Sequence, residues 1–434
     1  MVHPKTGEPG SASASYGVML FIATRSAGLA RLDEFVPRAG RAYSNTRNYD
    51  DPPADDGLRG NVSQLSPWLH AGLLSESEVL NAALAHHSPQ AAEKFIAEVF
   101  WRVYFKGYLE QRPTIWRSYC EERDAAFAAL DSNAGLCIAY SEAVEGRTGI
   151  SAFDHWACEL TQTGYLHNHA RMWFASIWIF TLKLDWQLGA DFFLRHLIDG
   201  DAASNTLSWR WVGGLHTKGK TYLARADNIA RYTANHAAGP LLADGLASDA
   251  PALEETREHG RHTLDLPGPL PQDAFAKPFA LLLHDEAASH VPLELSAKPA
   301  LIIGAARPAA CSLGTTSEHV CAFAEDAVTQ GCQTASDVFG CPVENWHEGT
   351  ALAEILAAHG IERVIVPYLP TGWTRDALMP ELAAMFDSGR AQSIVSELDR
   401  ATWPHAKAGF FGVKKKIDSV LGELGITGAQ ARAA

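Results

Sequence analysis

The spacing of apolar residues changes at about residue 275 of this chain. In the first part apolar residues recur at every third or fourth position, as in SESEVLNAALAHH at 75–87, which is typical of amphipathic helices. From residue 275 onwards, short apolar runs such as PFALLLH and PALIIGA alternate with helical segments, and this alternation predicts a parallel sheet. The sequence therefore predicts a multi-domain protein, with an all-α domain followed by a smaller C-terminal α/β (Rossmann-like) domain.

These patterns divide the chain into four parts. Residues 1–15 are Gly-, Ser- and Ala-rich without periodicity, and we expect them to be disordered. Residues 16–240 form the helical domain, residues 241–274 are a Pro- and Gly-rich linker with room for one short helix, and residues 275–434 form the α/β domain. The strand at PALIIGA is not followed by the G-x-G-x-x-G pattern, so no ordinary dinucleotide site is predicted there.

Cysteine content and charge exclude several classes of protein. The seven cysteines contain no C-x-x-C pair, which argues against a secreted disulfide framework and against a zinc site. The longest apolar run, residues 172–182, is too short to span a bilayer and predicts a buried core helix. A net charge of −14 argues against a surface that coats nucleic acid but leaves room for a local basic groove. We expect a cytoplasmic monomer with no bound metal and no membrane contact.

The segment LIDGDAASNTLSWRW at 197–211 is unusually dense in polar and aromatic residues. Asp199 and Asp201 flank a glycine in this segment, and Arg171 lies in an otherwise apolar helix upstream. A buried arginine needs an anionic partner because an unpaired buried charge is too costly, and either aspartate could serve. The alternative interpretation is a plain structural ion pair.

Two further segments could carry chemistry. In GNVSQLSPWL at 60–69, backbone amides precede or open a helix and could bind a phosphate, although Ser-Pro also caps ordinary helices. In EVFWRVYF, Glu98 and Arg102 are four residues apart on one helix face beside Trp101, a spacing that is also typical of surface ion pairs. Eight of the twelve tryptophans lie between residues 101 and 211, where they could simply fill a large core.

Four segments together resemble one known family. In order and spacing, VSQLSPWLHAGLLS, EVFWRVYF, TGYLHNHARM and LIDGDAASNTLSWRW are similar to the flavin-binding helical domain of DNA photolyases and cryptochromes. The resemblance covers about residues 45–235, nearly half of the chain. It implies bound FAD, UV-damaged DNA as the partner, and light-driven electron transfer from reduced flavin to a flipped-out pyrimidine dimer, after which the electron returns.

The resemblance also implies which residues form the flavin site. Ser63–Ser66 would hold the diphosphate, with Gln64 in place of the family's common arginine, and Arg102 and Arg171 would supply the missing positive charge. Arg171 would pair with Asp199 beside the ring system, Asp201 would face the flavin or its ribityl chain, and Asn205 would lie next to the reactive ring nitrogen. The full implied set is Tyr49, Ser63, Gln64, Leu65, Ser66, Glu98, Arg102, Asn168, Arg171, Asp199, Asp201 and Asn205.

Further positions match the substrate side and the electron relay of that family. Trp101 and Trp211 would cradle the dimer, Glu98 would hydrogen-bond it, and Asn168 and Met172 favour cyclobutane dimers because relatives that repair (6-4) photoproducts carry histidines there. Trp209 and Trp186 match the first two members of the relay that reduces FAD in light. The third member is one of Trp178, Trp173 and Trp116.

The resemblance leaves two features of the chain to be explained. Arg210, Lys218 and Lys220 are predicted to contact DNA phosphates, although a solvated loop is the alternative for each. The family's antenna domain normally precedes its helical domain, whereas here an α/β domain follows, and its closing segment ATWPHAKAGFFGVKKKI resembles that of an antenna domain. We therefore expect a permuted domain order, and the antenna chromophore is left open.

The leading prediction is a deoxyribodipyrimidine photo-lyase, a carbon–carbon lyase that repairs DNA damage in blue light. Its catalytic residues would be Glu98, Asn205, Trp186 and Trp209. The first alternative is a cryptochrome-like blue-light sensor that binds FAD but does not repair DNA. The second is a flavin- or nucleotide-binding protein without light chemistry, in which the tryptophans only fill the core.

Overall fold

A computed structural model describes residues 21–54 and 57–428, without the side chains of residues 272 and 273. The prediction of disorder for residues 1–15 lies outside the described residues. Within them the chain forms a helical region and a C-terminal α/β region, as the periodicity predicts.

Twelve α-helices form the helical region: α1 (Arg25–Phe35), α2 (Arg41–Thr46), α3 (Ser66–His70), α4 (Glu76–His86), α5 (Glu93–Glu110), α6 (Pro113–Ser132), α7 (Ala134–Val144), α8 (Ser151–Thr163), α9 (Asn168–Ser176), α10 (Trp186–His196), α11 (Ala202–Val212) and α12 (Ala226–Tyr232). The helix α4 begins where the sequence signals it, because Ser75 and Glu78 form a reciprocal capping box. The apolar run at 172–182 is confirmed as a core element, in which α9 continues into a π-helical turn, Ile177–Thr181. No helix in the described part of the chain is long and apolar enough to cross a membrane.

The C-terminal region is built on a parallel sheet in the order β3-β2-β1-β4-β5. Its strands are β1 (Phe279–His284), β2 (Leu301–Ala305), β3 (Val343–Asn345), β4 (Arg363–Pro367) and β5 (Ala391–Ile394). Its helices are α13 (Glu318–Phe339), α14 (Leu352–Ala358), α15 (Trp373–Asp387), α16 (Glu397–Thr402), α17 (Phe411–Lys414) and α18 (Ile417–Glu423). The sheet confirms the predicted α/β architecture, and the two edge strands β3 and β5 are additions to the sequence-based prediction.

The segment between the two regions is extended and lies along the helical region. From residue 241 to residue 271, a stretch that the structure describes in full, there is neither helix nor strand, and a 3-10 turn follows at Gln272–Phe275. The expected short α-helix is therefore absent there. Glu255 pairs with Arg210, and His259 Nδ1 lies 3.0 Å from the Thr114 hydroxyl. These contacts bind the segment to the helices instead of leaving it as a free tether.

The two regions are packed against each other beside the segment at 197–211. Side chains of β1 alternate between two cores: Leu281 and Leu283 join the core that continues into the N-terminal helices, whereas Leu282 faces the core under α14 and α15. The Trp373 indole N–H donates to the Gly200 carbonyl at 3.4 Å, and the Trp116 indole N–H donates to Asp376 at 2.7 Å. The α/β region therefore packs against the polar segment at 197–211.

Candidate functional site

A cavity of about 600 Å³ opens into the helical region, within the range of small-molecule and cofactor sites. It lies between α5, α9, α11 and the segment that leads into α3. Fourteen of the residues that the sequence predicts for the site line it: Ser63, Gln64, Leu65, Ser66, Glu98, Trp101, Arg102, Asn168, Arg171, Met172, Asp199, Asn205, Trp209 and Trp211. The structure therefore brings together four segments that are far apart in the sequence.

Arg171 and Asp199 form an ion pair in the cavity wall. The guanidinium donates to the Asp199 carboxylate at 2.9 Å, and its Nε donates to the Leu166 carbonyl at 2.9 Å. Burial is the largest single effect and raises the pKa of Asp199, but Arg171, with smaller contributions from Ser66 and His70, brings the net pKa below the usual range. The carboxylate therefore stays ionised and fixes the arginine against the cavity.

Two buried donors in the cavity wall lack a protein partner. Gln64 and Trp209 are each 2% exposed, and within the part of the chain that the structure describes neither the Gln64 amide nitrogen nor the Trp209 indole nitrogen has an acceptor. Gln64 also has a φ of 52°, which is uncommon for a residue other than glycine. Buried donors are normally hydrogen-bonded, so this lining fits a bound group that supplies acceptor atoms, as the phosphates and ring carbonyls of FAD would.

Asn205 is oriented by one hydrogen bond. Its amide nitrogen donates to the Ala190 carbonyl at 2.8 Å. No hydrogen bond of the described residues uses its amide oxygen as the acceptor, so this oxygen is free to accept one from a bound group. The residue lines the cavity together with Trp209, and its place beside the reactive ring nitrogen stays a prediction.

Glu98 is paired with Arg47, a residue that the sequence did not single out, and not with Arg102. Both residues line the cavity. Burial raises the pKa of Glu98, and Arg47 offsets only part of that increase. Arg102 instead lies 3.1 Å from Glu76 and 3.5 Å from Asp201. The interpretation of Glu98 and Arg102 as an ion pair along one helix is therefore wrong, because each finds a partner on another element.

Asp201 does not line the cavity. It caps α11 by accepting from the Ser204 backbone N–H at 2.6 Å, and it lies 3.8 Å from the Lys106 ammonium. The prediction that it faces the flavin is corrected: the side chain turns into the interface with the α/β region. There, His70, Asp201 and Glu286 bring ligand atoms within 4.8 Å of one another. Lys106, 3.1 Å from Glu286, and Arg102 already supply the positive charge that a metal ion would bring.

Tyr49 and Arg210 also differ from their predicted roles. Tyr49 packs edge-on against Tyr232 with ring centres 5.1 Å apart and does not line the cavity, which Tyr43 lines instead. Arg210 is 4% exposed and pairs with Glu255, so it cannot serve as a surface contact to DNA. Lys218 and Lys220 are exposed, and their contact with DNA stays a prediction.

Trp101 and Trp211 line the cavity, and Trp101 has an unexpected partner. The ring of Phe410, from the α/β region, stacks on Trp101 with centroids 4.0 Å apart and planes inclined by 15°. Trp211 packs against Tyr222 at 5.7 Å. No local pattern in the sequence could have predicted the Trp101–Phe410 contact.

Four of the other tryptophans lie in two aromatic rows. Trp209, in the cavity wall, contacts Trp178 at 6.2 Å, and Trp178 contacts Tyr140 at 6.1 Å. Trp186 does not line the cavity; it contacts Tyr119 at 5.6 Å, and Tyr119 contacts Trp116 at 5.2 Å. Trp173, the other candidate for the relay, stacks on Trp156 and His169 and belongs to neither row.

Several known proteins are similar to part of this chain. Residues 95–237 match the sequence profile described as the FAD binding domain of DNA photolyase. The chain is 34% identical over 222 residues to a deoxyribodipyrimidine photo-lyase of Streptomyces griseus, covering 47% of this chain and 46% of that protein. It is 31% identical over 202 residues to the one of Synechococcus sp., covering 43% and 38%. The chain thus spans less than half the length of these relatives.

Solved structures with partial similarity come from the same group of proteins. A class III photolyase from Agrobacterium tumefaciens is 27% identical, with a TM-score of 0.39, over 48% of this chain and 42% of that one. A cryptochrome from Synechocystis sp. PCC6803 is 25% identical, with a TM-score of 0.39, over 49% and 44%.

The helical region therefore contains an FAD-binding domain of the photolyase type, and FAD is its cofactor. The profile and the sequence relatives support the photolyase/cryptochrome family for this part of the chain.

Proposed function

We propose that this protein repairs cyclobutane pyrimidine dimers in DNA in a light-driven reaction. The observation that carries the proposal is the set of residues that line one cavity. The unpartnered donors of Gln64 and Trp209 and the Arg171–Asp199 pair lie in the same 600 Å³ space as Glu98, Trp101 and Trp211. Residues suited to a flavin and residues suited to an extruded base therefore share a wall, which direct electron transfer requires.

The substrate side combines stacking with hydrogen bonding. Trp101 and Trp211 offer ring surfaces to a dimer, which offset part of the cost of unstacking it from the duplex. Glu98, which burial makes easier to protonate than an ordinary glutamate and which Arg47 holds in place, is proposed to hydrogen-bond a carbonyl of the dimer. When bound, FAD supplies a light-absorbing electron donor, and the electron that opens the dimer is returned when the bases separate. Asn168 and Met172 line the cavity without the histidines of (6-4) relatives, which supports cyclobutane dimers as the substrate.

We infer that the α/β region corresponds to the family's antenna domain in a changed chain order. The doubly wound strand order β3-β2-β1-β4-β5 supports this. UV-damaged DNA is the proposed partner, contacted in part by the exposed Lys218 and Lys220, and the protein is proposed to act as a cytoplasmic monomer.

The test is repair of a synthetic thymine dimer in single- and double-stranded oligonucleotides by the chemically reduced holoprotein under blue light. We expect light-dependent loss of the dimer, none in the dark, and strong loss of activity in Glu98→Ala at unchanged FAD content. If light reduces the bound FAD but the dimer persists in the fully reduced protein, the proposal fails in favour of a light sensor. If the protein binds no FAD, both light-dependent functions are excluded.

A further inference from the structure

We propose that the segment from His405 to Lys416, in the α/β region, is a second DNA-contacting element that holds damaged duplex beside the mouth of the cavity. The proposal depends on the proposed repair function. It assigns to the C-terminal region a direct part in binding the nucleic acid.

The position of the segment is fixed by contacts to the wall of the cavity. Phe410 stacks on Trp101 at 4.0 Å, and Trp101 lines the cavity. The Tyr104 hydroxyl donates to the Ala408 carbonyl at 2.8 Å, and the Arg112 guanidinium donates to the Lys407 carbonyl at 2.7 Å. Lys407, Ala408 and Phe410 therefore anchor the segment to α5 and to the start of α6, close to the proposed substrate wall.

The charge of the segment is opposite to that of the molecule. Residues 407–416 read KAGFFGVKKK, with four lysines and no acid, in a chain of net charge −14. All four lysines are exposed; Lys414 lies 3.0 Å from Glu93. For Lys407, Lys415 and Lys416, no acidic group lies within 4.0 Å among the residues that the structure describes. A local positive surface on an acidic protein is complementary to a polyanion such as DNA.

Phe411 gives this basic surface an aromatic ring. Its neighbour Phe410 is buried against Trp101, but Phe411 is 76% exposed. Exposed aromatic rings between basic residues are suited to stacking on bases while the cations contact phosphates. When a dimer is extruded from a duplex, it leaves a gap and an unpaired opposite strand, and Phe411 is placed to stack on bases there.

The segment also joins the lysine loop of the helical region. Tyr104 donates its one proton to Ala408, so the His216 Nε2, 2.9 Å from the same hydroxyl, must carry the hydrogen of that contact. His216 begins the loop that holds Lys218 and Lys220. One tyrosine thus bridges the two basic segments, and the two regions form one continuous surface for DNA.

The test compares Phe411→Ala and the double variant Lys415→Ala/Lys416→Ala with the wild-type holoprotein. Lys277→Ala/Lys298→Ala removes the same charge from exposed positions elsewhere in the α/β region and is the matched control. Dissociation constants are measured at salt concentrations from about 50 to about 200 mM. The nucleic acids are duplex DNA with and without a thymine dimer and a single strand that contains the dimer. The range covers the strongly salt-dependent regime of phosphate contacts.

We expect the Lys415/Lys416 variant to bind all three nucleic acids more weakly, with a salt slope lower by about one to two units. Phe411→Ala should weaken binding to the dimer-containing duplex by about fivefold or more, with a smaller effect on the single strand, because only the duplex leaves a gap to fill. The control variant should match the wild type. Unchanged near-ultraviolet circular dichroism and melting temperature show that each variant is folded.

Two results would overturn the inference. One is wild-type affinity and salt slope in both variants; the other is an equal loss in the control pair. If the wild type repairs the dimer in light but the variants bind DNA normally, only this inference fails. If the wild type neither binds nor repairs damaged DNA, the proposed function fails first. Repair of a free dimer dinucleotide should be unaffected in both variants, because the segment contacts the surrounding duplex.

Discussion

Glu98 and Asp199 lie in one cavity, each beside an arginine, yet their pKa values shift in opposite directions. Burial dominates at Glu98 and raises its pKa above the usual range, in spite of Arg47. At Asp199 burial also raises the pKa, but Arg171, Ser66 and His70 together lower it by more. Glu98 is therefore protonated more easily than an ordinary glutamate, which suits a hydrogen bond to a substrate carbonyl, whereas Asp199 holds its charge more firmly than an ordinary aspartate.

The distinct role of Glu98 predicts different effects for two substitutions. Glu98→Ala removes the hydrogen bond to the dimer and leaves Arg47 unpaired, so we expect the affinity for the dimer and the repair rate to fall by roughly tenfold or more. Glu98→Gln keeps a donor of similar shape and should retain a larger part of both. Titration with a dimer oligonucleotide and the quantum yield of repair measure these effects. Equal losses in the two variants would contradict the role of Glu98 as a hydrogen-bond donor.

Gly189 predicts a packing effect at the cavity wall. A methyl group at this position of α10 would collide with the Trp209 ring and come within 2.9 Å of the Trp178 ring. We expect Gly189→Ala to lower the free energy of unfolding by about 1–3 kcal/mol and to change the near-ultraviolet circular dichroism of the tryptophans. Gly422→Ala, in α18 with open space around it, is the matched control and should be neutral or slightly stabilising. Equal stability of the two variants would show that Trp209 is not tightly packed.

For individual residues, the sequence predicts those whose place follows from their position in a motif. It is wrong where the direction of the side chain depends on the local backbone. Asp199 and Asp201 flank one glycine and look equivalent, but Asp201 begins a helix, so capping turns its side chain away from the cavity. Tyr49 was predicted to line the cavity, but Tyr43 lines it instead. Tyr43 lies in α2 and points into the cavity, whereas Tyr49 lies in the loop after α2 and points away from it. Arg47 was missed because an isolated arginine carries no local signal of its distant partner, Glu98.

Among elements, α10 and α6 carry the aromatic row Trp186–Tyr119–Trp116, and the π-helical turn after α9 carries Trp178 of the other row. The buried Tyr119 hydroxyl has no hydrogen-bond partner among the described residues. Successive rings in each row have centroids within 6.2 Å. The row through Trp178 reaches the cavity wall at Trp209, whereas the row through Trp186 has no member among the residues that line the cavity.

Comparison of two variants distinguishes the rows. We expect Trp116→Phe to slow the light-driven reduction of bound FAD, with a thiol as the external reductant, because Trp116 ends the row that contains Trp186. The measurement is the loss of flavin absorbance under blue light. Trp173→Phe, outside both rows, is the control. If Trp116→Phe is as fast as the wild type and Trp178→Phe is slow, the row through Trp178 and Tyr140 is the one in use.

The sequence predicts the elements that have long periodic or continuous apolar patterns. It misses the two edge strands β3 and β5, which lack such a pattern. Strands β1, β2 and β4 are continuous buried runs, whereas β3 is three residues long with mostly exposed side chains and β5 is only partly buried. Edge strands of this kind are defined by hydrogen bonds to a neighbour, not by their own composition. The linker pattern predicted an irregular segment correctly, but not that Glu255 and His259 would fix it to the helices.

The whole molecule is held together by an interface that contains buried titratable groups. Asp285 follows β1 and faces the helical region, and both of its oxygens accept from the Arg307 backbone N–H, at 2.9 and 3.0 Å. Burial raises the pKa of Asp285 to about 7. Ser312 donates to the buried Asp191 at 2.7 Å across the same interface, and Arg195, in the same helix as Asp191, donates to its other oxygen at 2.9 Å. The two regions therefore share polar as well as apolar contacts.

Asp285 predicts a pH dependence of stability. An unfolded aspartate has a pKa of about 4, so between about pH 4 and pH 7 the folded protein binds this proton more strongly. The free energy of unfolding therefore decreases through Asp285 as the pH rises across that range. Asp285→Asn should remove this contribution, so that its melting temperature rises relative to the wild type from pH 4 to pH 7. A difference between the two proteins that is constant with pH would contradict this, and exposed Asp249→Asn is the control.

The stack of Trp101 on Phe410 has a consequence for how the protein is made. The two rings are about 300 residues apart in the chain, and a ribosome adds roughly 5–20 residues per second. Trp101 therefore leaves the ribosome roughly 15–60 s before its partner is synthesised. During that interval one side of α5 presents bare aromatic surface, which is a target for chaperones and for aggregation. Slower translation of the C-terminal region should lengthen this exposure and reduce the yield of soluble protein.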